Sequence, residues 1–333
     1  MDENRHNLLE EVSVGDYAEI DDPTDFNPEL LSVEAADQHF AAVDSNMALR
    51  ARCSVWWRAT VPLHGERIGT IGHYAAVDPL AGRAVIRRAL ARLRSQGCSM
   101  AIGPMNGNTW RSYRFVVERD NAEPFFLEPN NPDCWPDDFT ACGFDPLSWY
   151  VSELNPDIAA RQPELGSLRQ KMKRLGVQVA PINTDDPDGD LDGIYDVVCE
   201  SFSDSFLYTP LDRESYRSIY LPMLQKVDPR LMLVARQEAQ VVGFIFAPPD
   251  YLQQATSNNI DTIVIKTVAI LPRKRYSGLG RLLIVDLLQS AVELGYTKAI
   301  STVMQTDNQS QRISSACAGP MRRYALFARS LTS

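Results

Sequence analysis

Apolar residues recur in the same arrangement in two distant parts of the chain. Over 279–294, and again over 83–97, they return every three or four positions with charged and polar residues between them. This spacing places the apolar side chains on one face of an α-helix. A short apolar run precedes each segment, and a glycine that suits a left-handed helix cap closes it. The pattern predicts a strand, a turn, an amphipathic helix and a second strand in each half.

The two units differ in the turn between the first strand and the helix. Pro272 lies eight residues before Gly280, whereas Pro79 lies only three residues before Gly82. From these glycines to the glycine that closes each helix, the distance is 15 residues in both units. The N-terminal unit is therefore shorter in the turn alone. Self-similarity of this kind predicts two copies of one fold in a single chain.

Length and pattern together predict two domains joined by a helix. The chain has 333 residues, 44% of them apolar and 23% charged, as in ordinary globular proteins. The predicted fold class is α/β, with a mixed central β-sheet flanked by helices in each domain. The N-terminal domain, the linker helix and the C-terminal domain are expected at 1–155, 156–177 and 178–333.

The turn of the second unit has the composition of an anion site. The stretch 275–280 follows an apolar strand and opens a helix, where unpaired backbone N–H groups and the positive end of the helix dipole meet. Its two glycines allow the backbone to approach a ligand closely, and basic residues crowd 273–281. Such a turn suits a pyrophosphate, and the simpler alternative is a tight turn without a ligand. The dinucleotide-binding fingerprint is incomplete, since Leu283 replaces its third glycine, and a P-loop motif is absent.

Charge and composition narrow the classes of partner. Asp and Glu total 43 against 33 for Lys and Arg, a formal net charge of −10, which argues against a nucleic-acid-binding protein. The six cysteines form no CxxC pair and the four histidines have no metal-ligand spacing, so no metal site is predicted. The N-terminus shows no signal-peptide pattern and no apolar run reaches 18 residues. A cytoplasmic protein without a membrane partner is therefore expected.

Around the glycine-containing turn, the sequence resembles the GCN5-related N-acetyltransferases (GNAT), in a tandem form whose N-terminal copy is degenerate. The family signature is V-x-V/I-x-P on a strand, then [QR]-x-x-G-x-[GA] at the start of the next helix. The matching residues are Val268, Ile270, Pro272, Arg275, Gly278 and Gly280. The resemblance implies that the backbone of Val268 and Ile270 pairs with the pantetheine arm of acetyl-CoA or another acyl-CoA, and that the turn holds the pyrophosphate. The implied cofactor-binding residues are Val268, Ile270, Arg273, Arg275, Tyr276, Ser277, Gly278, Leu279, Gly280, Arg281 and Asn308.

The sequence departs from the family pattern at the position of the general acid. Asn308 and Gly319 stand at the family's intervals after the next strand, but Ser315 takes the place of the Tyr that protonates the departing thiolate in the family. A serine hydroxyl is a far weaker acid, so Tyr324 on the predicted last strand is a second candidate. The residues considered for catalysis are Ser315, Tyr324, Thr267 and Asn308.

No general base is singled out by the sequence. Lys266 and Thr267 lie on the predicted cofactor strand and Asp261 begins it, but position on a strand does not choose among them. The resemblance implies that catalysis can rest on positioning of the amine and on stabilisation of the oxyanion by backbone amides.

The resemblance implies an N-acyltransferase that uses acetyl-CoA, or another acyl-CoA, to acylate a small amine. Two alternatives stay open: a GNAT-like malonyl-CoA decarboxylase or S-acyltransferase that loads an acyl carrier protein, and a CoA-binding protein without catalysis. The N-terminal copy is expected not to bind CoA, because its turn at 78–82 is too short to enclose a pyrophosphate. Its segments 103–115 and 124–136, rich in Asn, Pro and aromatic residues, either line the acceptor cleft or are packed loops.

Overall fold

A computed structural model describes residues 7–10, 12–24, 26–160, 165–185, 187–224, 226–255, 259–306 and 319–332. The elements of the N-terminal half are, in chain order, β1 (Asn7–Glu10), α1 (Val14–Tyr17), α2 (Leu30–Val33), β2 (Gln38–Val43), β3 (Leu49–Trp56), β4 (Ile68–Ala76), α3 (Pro79–Ser95), β5 (Met100–Gly103), β6 (Phe115–Arg119), α4 (Trp135–Ala141) and β7 (Asp145–Asn155).

The C-terminal half continues with α5 (Gly166–Arg174), β8 (Val177–Pro181), α6 (Pro187–Phe202), α7 (Arg213–Leu224), β9 (Met232–Gln237), β10 (Gln240–Phe246), β11 (Thr262–Ile265), β12 (Thr267–Ile270), α8 (Leu279–Glu293), β13 (Lys298–Gln305) and β14 (Gly319–Ser330). Short 3-10 turns lie at Pro229–Leu231, Tyr251–Ala255 and Lys274–Tyr276. The predicted α/β class, with mixed sheet flanked by helices, is confirmed.

Most of the strands belong to one mixed sheet of ten strands. Its order is β1-β2-β3-β4-β5-β14-β7-β13-β11, with β6 paired to β14, and a smaller sheet has the order β12-β10-β9-β8. The pairs β4–β5 and β11–β13 are parallel. Their crossover helices are α3 and α8, so these pairs are the two strand–turn–helix–strand units that the apolar pattern predicted.

The last strand of the chain lies in the part of the sheet formed by the N-terminal half. β14 is inserted between β5 and β7, with Phe327 opposite Gly103. β7 then pairs with β13 of the C-terminal half, with Ile300 opposite Leu154. Although β7 ends and β8 begins close to the expected divisions of the chain, the two halves share a continuous sheet.

The two amphipathic helices bury the faces that their spacing predicts. On α8, Leu279, Leu283 and Leu287 are fully buried, as are Val85 and Ala89 on α3. Each buried leucine contributes about 1.5–3 kcal/mol relative to an exposed one. The two helices pack into separate clusters of buried residues, so each half has a core of its own.

Two local expectations needed correction. Among the described residues of the linker helix expected over 156–177, α5 is the helical part, and 157–160 form a turn. The segment 262–271, expected as one strand, is divided at Lys266, whose N–H donates to Phe246 O at 3.0 Å. Because of this division, β11 belongs to the large sheet and β12 to the small one.

Candidate active site

The large and the small sheet separate at the junction of β11 and β12, because β11 pairs with β13 and β12 does not. β11 pairs with β13 from Thr262 opposite Lys298 to Ile265 opposite Ser301. Beyond this point β12 follows β10, while β13 follows β7 after a shift in register at Val303, which has φ of +32°. A bulge of this kind bends a strand, and a positive φ is uncommon for a β-branched residue. The result is a V-shaped gap between the two strands.

The edge of β12 that faces the gap presents backbone groups. Leu271 N–H donates to Val242 O at 3.0 Å, in register with the antiparallel pairing to β10. Because peptide groups alternate in direction along a strand, those of Val268 and Ile270 point away from β10. The Ile270 carbonyl accepts a hydrogen bond from the Ser201 hydroxyl at 2.8 Å. Val268 therefore offers the more open peptide groups on this edge.

The turn after β12 leaves backbone donors free at the start of α8. Gly278, with φ of +95°, is the N-cap of this helix, and no side chain caps it. The amides of Leu279, Gly280 and Arg281 belong to the first turn and have no acceptor within the helix. These N–H groups and the positive end of the helix dipole converge on one point, where an anion such as a pyrophosphate can bind.

Two amides of this turn are used within the turn itself. Tyr276 N–H donates to Arg273 O at 2.9 Å, and Ser277 N–H donates to Lys274 O at 3.1 Å. The Tyr276 side chain is buried, and its hydroxyl donates to Gln237 Oε1 at 2.6 Å. The side chain and amide of Tyr276, which the sequence assigned to cofactor binding, thus hold the turn in place, and the free amides are those at the start of α8.

The linker helix α5 supports this turn. A Cβ on Gly278 would lie 2.7 Å from Leu168 Cδ1, so the helix covers one side of the glycine. Lys171 Nζ donates to Ser277 O at 2.9 Å, and an ion pair also joins α5 to α8. Lys171 therefore adds a cation beside the turn. The sequence did not single it out, although the basic run at the end of the linker was a signal.

Three predicted arginines surround the turn at the surface. Arg273, Arg275 and Arg281 are all exposed. Arg273 forms an ion pair of 3.5 Å with Glu200, and the Arg275 guanidinium lies 4.8 Å from the centroid of the Tyr276 ring. Contacts of this kind at the surface are weak, so they leave the guanidinium groups able to turn toward an incoming anion.

The corresponding turn of the N-terminal half is closed by its own side chain. Asp78 Oδ1 accepts hydrogen bonds from Leu80 N–H at 2.7 Å and Ala81 N–H at 3.2 Å. Asp78 also forms an ion pair with Arg50 at 3.3 Å. The carboxylate thus satisfies the amides at the start of α3 and complements the helix dipole, as a bound anion would.

The gap beside β4 is filled as well. The segment after β5 folds back, so that Met105 N–H donates to Ile71 O at 2.8 Å and His73 N–H donates to Asn106 Oδ1 at 2.9 Å. A Cβ on Gly72 would lie only 2.4 Å from Asn106 Oδ1. The backbone of β4 is therefore already bonded where β12 is open.

A cavity of about 1000 Å³ lies between the two halves and includes the V-shaped gap. The C-terminal half lines it with 265–268 and 301–305, together with parts of α6 and α7. The N-terminal half lines it with 108–114 and 127–129. These two stretches fall within the Asn-, Pro- and aromatic-rich segments, so a part of each segment lines the cavity.

The predicted catalytic residues are in different surroundings. Thr267 lines the cavity at the start of β12. Tyr324, on β14, is fully buried and lies outside the set of residues that line the cavity. Asn308 and Ser315 lie outside the described residues.

Tyr324 belongs to a buried polar cluster behind the cleft wall. Its hydroxyl donates to Glu128 Oε1 at 2.7 Å and is 3.0 Å from Ser152 Oγ. Arg322 Nε also donates to Glu128 Oε1, at 3.0 Å. Burial raises the pKa of Glu128 and raises that of Tyr324 above its usual range. Glu128 itself lines the cavity, so Tyr324 touches the cleft through this carboxylate.

Of the candidate bases on the cofactor strand, Lys266 lines the cavity and Asp261 does not. Lys266 Nζ lies 5.1 Å from the centroid of the Tyr220 ring. Asp261 forms an ion pair of 2.8 Å with Lys298. This hydrogen bond, with a second from Thr262, lowers the pKa of Asp261 to about 2. A carboxylate stabilised in this way is a poor general base.

The cavity also contains basic and aromatic residues that the sequence did not assign. The Arg114 guanidinium lies 3.7 Å from the Tyr113 ring centroid and 4.3 Å from that of Tyr150. Arg111 lines the same wall, and its guanidinium donates to the carbonyl of Glu34. The run Trp-Arg-Ser-Tyr-Arg at 110–114 carried this signal, but only the fold places it opposite β12 and β13.

Within the described ranges, no group of three or more His, Cys, Asp or Glu side chains is arranged to hold a metal ion. Over the same ranges, no helix has the length and apolar character needed to cross a membrane.

Residues 191–313 match the model of the acetyltransferase (GNAT) family. This range contains most of α6, together with α7, the gap-forming strands and the uncapped helix α8. No curated protein matches the sequence.

Solved structures share the fold along nearly the whole chain. A tandem GNAT protein from the clavulanic acid biosynthesis pathway is 12% identical, with a TM-score of 0.54 over 99% of each chain. A GCN5-related N-acetyltransferase from Sphaerobacter thermophilus is 14% identical, with a TM-score of 0.53 over 92% of this chain and 86% of that one. A fungal multi-domain GH3 beta-N-acetylglucosaminidase with a GCN5-related glucosamine N-acetyltransferase region is 14% identical, with a TM-score of 0.57 over 99% of this chain. The present chain spans 38% of that fungal protein, and at such identities the likeness is one of fold.

Proposed function

We propose that this chain, whose residues 191–313 belong to the acetyltransferase (GNAT) family, is an N-acyltransferase that uses acetyl-CoA or another acyl-CoA to acylate a small amine. The observation that carries the proposal is the uncapped start of α8, at the end of a strand that has parted from its neighbour. An anion site and an unpaired strand edge thus lie next to each other. Acyl-CoA presents a pyrophosphate and then an amide-containing arm in the same order.

In this proposal the cosubstrate binds mainly to backbone groups. The amides of Leu279, Gly280 and Arg281 donate to the pyrophosphate, and the Lys171 and Arg281 side chains add positive charge. The peptide groups of Val268 pair with the pantetheine arm along the edge of β12. The acyl group then reaches the cavity between the halves, where the amine binds from the other side.

The reaction is a transfer of the acyl group from sulfur to nitrogen. The amine nitrogen attacks the thioester carbonyl, the C–N bond forms and the C–S bond breaks. The proton lost by nitrogen ends on the CoA sulfur, so the products are an N-acyl amine and CoA. Thr267 is proposed to contact the reacting groups because it lines the cavity beside Val268, while Asn308 and Ser315 stay predictions. The main contribution of the protein is the positioning of the two substrates.

The N-terminal half is proposed to shape the acceptor site and to bind no CoA. Asp78 already occupies the amides of its turn, and 103–107 fill the gap beside β4. The same half supplies 108–114 and 127–129 to the wall of the cavity. These facts support a division of labour, in which the C-terminal half binds the acyl donor and both halves enclose the amine.

Reversal of charge at the turn tests the binding of the donor. The variant Arg281→Glu keeps the backbone amide but places a carboxylate beside the pyrophosphate site. We expect acetyl-CoA to bind about tenfold more weakly in isothermal titration calorimetry, because like charges repel at the helix N-terminus. The control Arg87→Glu, on the exposed face of α3, should bind within about twofold of wild type. Unchanged affinity of Arg281→Glu would show that the cosubstrate site is elsewhere.

The transfer itself is tested by release of CoA thiol from acetyl-CoA with a panel of amines, and by mass spectrometry of the N-acetyl products. Release that depends on the amine supports the proposal. Release of CO₂ from malonyl-CoA without an amine contradicts it and favours the decarboxylase alternative. Tight CoA binding with neither reaction favours a CoA-binding protein without turnover.

A further inference from the structure

The wall of the cavity has more cations than carboxylates, whereas the chain as a whole is acidic. Three cations line it, Arg111 and Arg114 on the N-terminal half and Lys266 on the C-terminal half. The whole chain has a net charge of −10. Cations gathered in a partly enclosed cleft attract an anionic ligand, because the low-dielectric walls focus their field.

The two carboxylates on the same wall have other partners. Glu34 Oε2 lies 2.7 Å from His73 Nε2, inside the N-terminal half. Glu128 accepts from Arg322 and from the Tyr324 hydroxyl. Among the described residues, no ion pair joins a carboxylate to any of the three cavity cations. The charge of Glu34 acts on Arg111 without a direct ion pair, and it opposes the effect of burial on the pKa of that guanidinium.

Arg114 is held in a fixed orientation. Its guanidinium lies against the rings of both Tyr113 and Tyr150, and Nη1 donates to Val303 O at 3.3 Å. Its Nε is buried and has no hydrogen-bond partner among the described residues. The Nε–Nη2 edge of a guanidinium matches two oxygens of a carboxylate or phosphate. A buried donor without a partner is costly, so an oxyanion at this edge would be stabilised.

Arg111 adds a second donor on the same wall. Its guanidinium is half-buried beside the carbonyl of Glu34, and burial lowers its pKa. A cation that is partly desolvated in this way gains from a negative partner, since the partner replaces lost hydration. Both arginines come from one short loop, 108–114, and line the same cavity.

The phosphates of CoA are not the partner of these two arginines. The pyrophosphate turn, 273–281, contributes none of the described residues that line the cavity. Arg114 instead contacts Val303 on β13 and Tyr150 on β7, across the gap from β12. The arginines therefore lie on the acceptor side of the cleft.

From these contacts we propose that the acceptor is a small amine that also bears an oxyanion, a carboxylate or a phosphate, which Arg114 and Arg111 bind. This inference rests on the proposed acyl transfer for the role of the amine. It goes beyond that proposal by naming the group that orients the amine toward the thioester. Fixing one end of the acceptor on Arg114 leaves the amino group as the end free to approach β12.

The test uses matched pairs of amines that differ in the oxyanion alone. The pairs are glycine and glycinamide, β-alanine and β-alaninamide, 4-aminobutyrate and its amide, and O-phosphoethanolamine and ethanolamine. Binding of each to the complex of the protein with CoA is measured by calorimetry, and kcat/KM is measured with acetyl-CoA. We expect at least one charged member to exceed its neutral partner by about tenfold or more, with the difference in KM. The pair with the largest ratio tells carboxylate from phosphate.

Variants of the arginine then test the assignment. In Arg114→Gln the preference for the charged member should fall to nearly one, and Arg114→Lys should retain part of it because charge remains but the planar fork is lost. Arg111→Gln should lower the preference independently. The matched control is Arg323→Gln, an exposed arginine that also stacks on an aromatic ring, 4.6 Å from Trp149, outside the cavity. It should leave the preference unchanged.

The outcomes separate this inference from the proposed function. If the charged and the neutral members of each pair are acetylated equally well, the proposed acyl transfer is supported and the oxyanion site is overturned. Tighter binding of charged members, lost in Arg114→Gln, supports the oxyanion site even if no amine is acetylated. The oxyanion site is overturned if the preference for charged amines is unchanged in both the Arg114 and the Arg111 variants. It is also overturned if none of the amines binds to the wild-type complex with CoA.

Discussion

At the scale of single residues, Tyr324 shows how position decides between a chemical and a structural role. Its hydroxyl has the acidity needed for protonation of a thiolate, yet it is fully buried and bonded to Glu128 and Ser152. The nearby carboxylate and burial both raise the pKa of Tyr324. A hydroxyl in this setting stabilises the Glu128 carboxylate more readily than it gives its proton to a substrate.

Replacement of Tyr324 distinguishes a role as general acid from a role as a buried hydrogen-bond donor. Tyr324→Phe removes a donor from buried Glu128, so we expect a loss of about 1–3 kcal/mol of unfolding free energy in urea denaturation. We expect kcat for CoA release to fall less than about threefold, whereas loss of a general acid would cost about 100-fold or more. The control is Tyr74→Phe, a buried tyrosine that donates to Asp138 at 2.8 Å in the N-terminal core. It should lose similar stability at unchanged kcat, and a much larger drop in kcat for Tyr324→Phe alone would identify Tyr324 as the acid.

At the scale of elements, the starts of α3 and α8 differ in how the unpaired amides of their first turns are satisfied. Each helix leaves unpaired amides in its first turn. In α3 the side chain of Asp78 accepts from two of them, while α8 begins at Gly278 with no capping side chain. The capped helix is stable without a ligand. The first-turn amides of the uncapped helix stay available to water or to a bound anion.

Removal of the aspartate cap tests this contrast. Asp78→Ala should lower the unfolding free energy by about 0.5–2 kcal/mol, as for other N-caps. Asp78→Asn keeps an oxygen acceptor and should retain most of the stability. Both variants should bind one acetyl-CoA per chain in calorimetry, with wild-type affinity, because 103–107 still fill the gap beside β4. A second equivalent of acetyl-CoA bound by Asp78→Ala would contradict the proposed division of labour.

At this scale, the sequence predicts features that depend on neighbouring residues and misses those that depend on contacts between distant segments. The faces of α3 and α8 depend on local periodicity, and both were predicted correctly from residues such as Leu283 and Val85. The division of 262–271 into two strands depends on which partner each part meets, β13 or β10, and no local pattern encodes this. For the same reason, the contact of Lys171 with the turn and the placement of Arg114 opposite β13 became visible only in the fold.

At the scale of the whole molecule, the shared sheet makes the two halves interdependent. β14 closes the N-terminal part of the sheet, and β7 pairs with β13 at the mouth of the gap. The strand that ends the chain thus supports the wall that carries Tyr150 and, through it, Arg114. A change in the stability of the N-terminal half is therefore expected to change the arrangement of the residues that line the cavity.

Two histidines, His73 buried and His39 half-buried, make that stability depend on pH. His39 Nδ1 lies 2.7 Å from Ser54 Oγ, which is 2.9 Å from His73 Nδ1, and His73 Nε2 meets Glu34. Burial, and then the neighbouring His73, lowers the pKa of His39 from 6.5 to about 4, and burial also lowers the pKa of His73. Because the unfolded chain binds more protons than the native one between these values, stability falls as the pH drops from 6.5 toward 4.

For His39 alone, this linkage amounts to a loss of at most about 2 kcal/mol between pH 7.5 and pH 5, because the side chain is partly exposed and solvent screens its charge. His73 adds to this loss. The general charge effect has the opposite sign, since the chain approaches its pI of 5.0 and self-repulsion weakens. Urea unfolding at pH 7.5, 6 and 5 should therefore be compared between wild type and His39→Gln, in which the His39 contribution disappears. His64→Asn, at an exposed turn position, is the control and should keep the wild-type slope. An equal pH slope in His39→Gln and wild type would show that His39 does not govern acid stability.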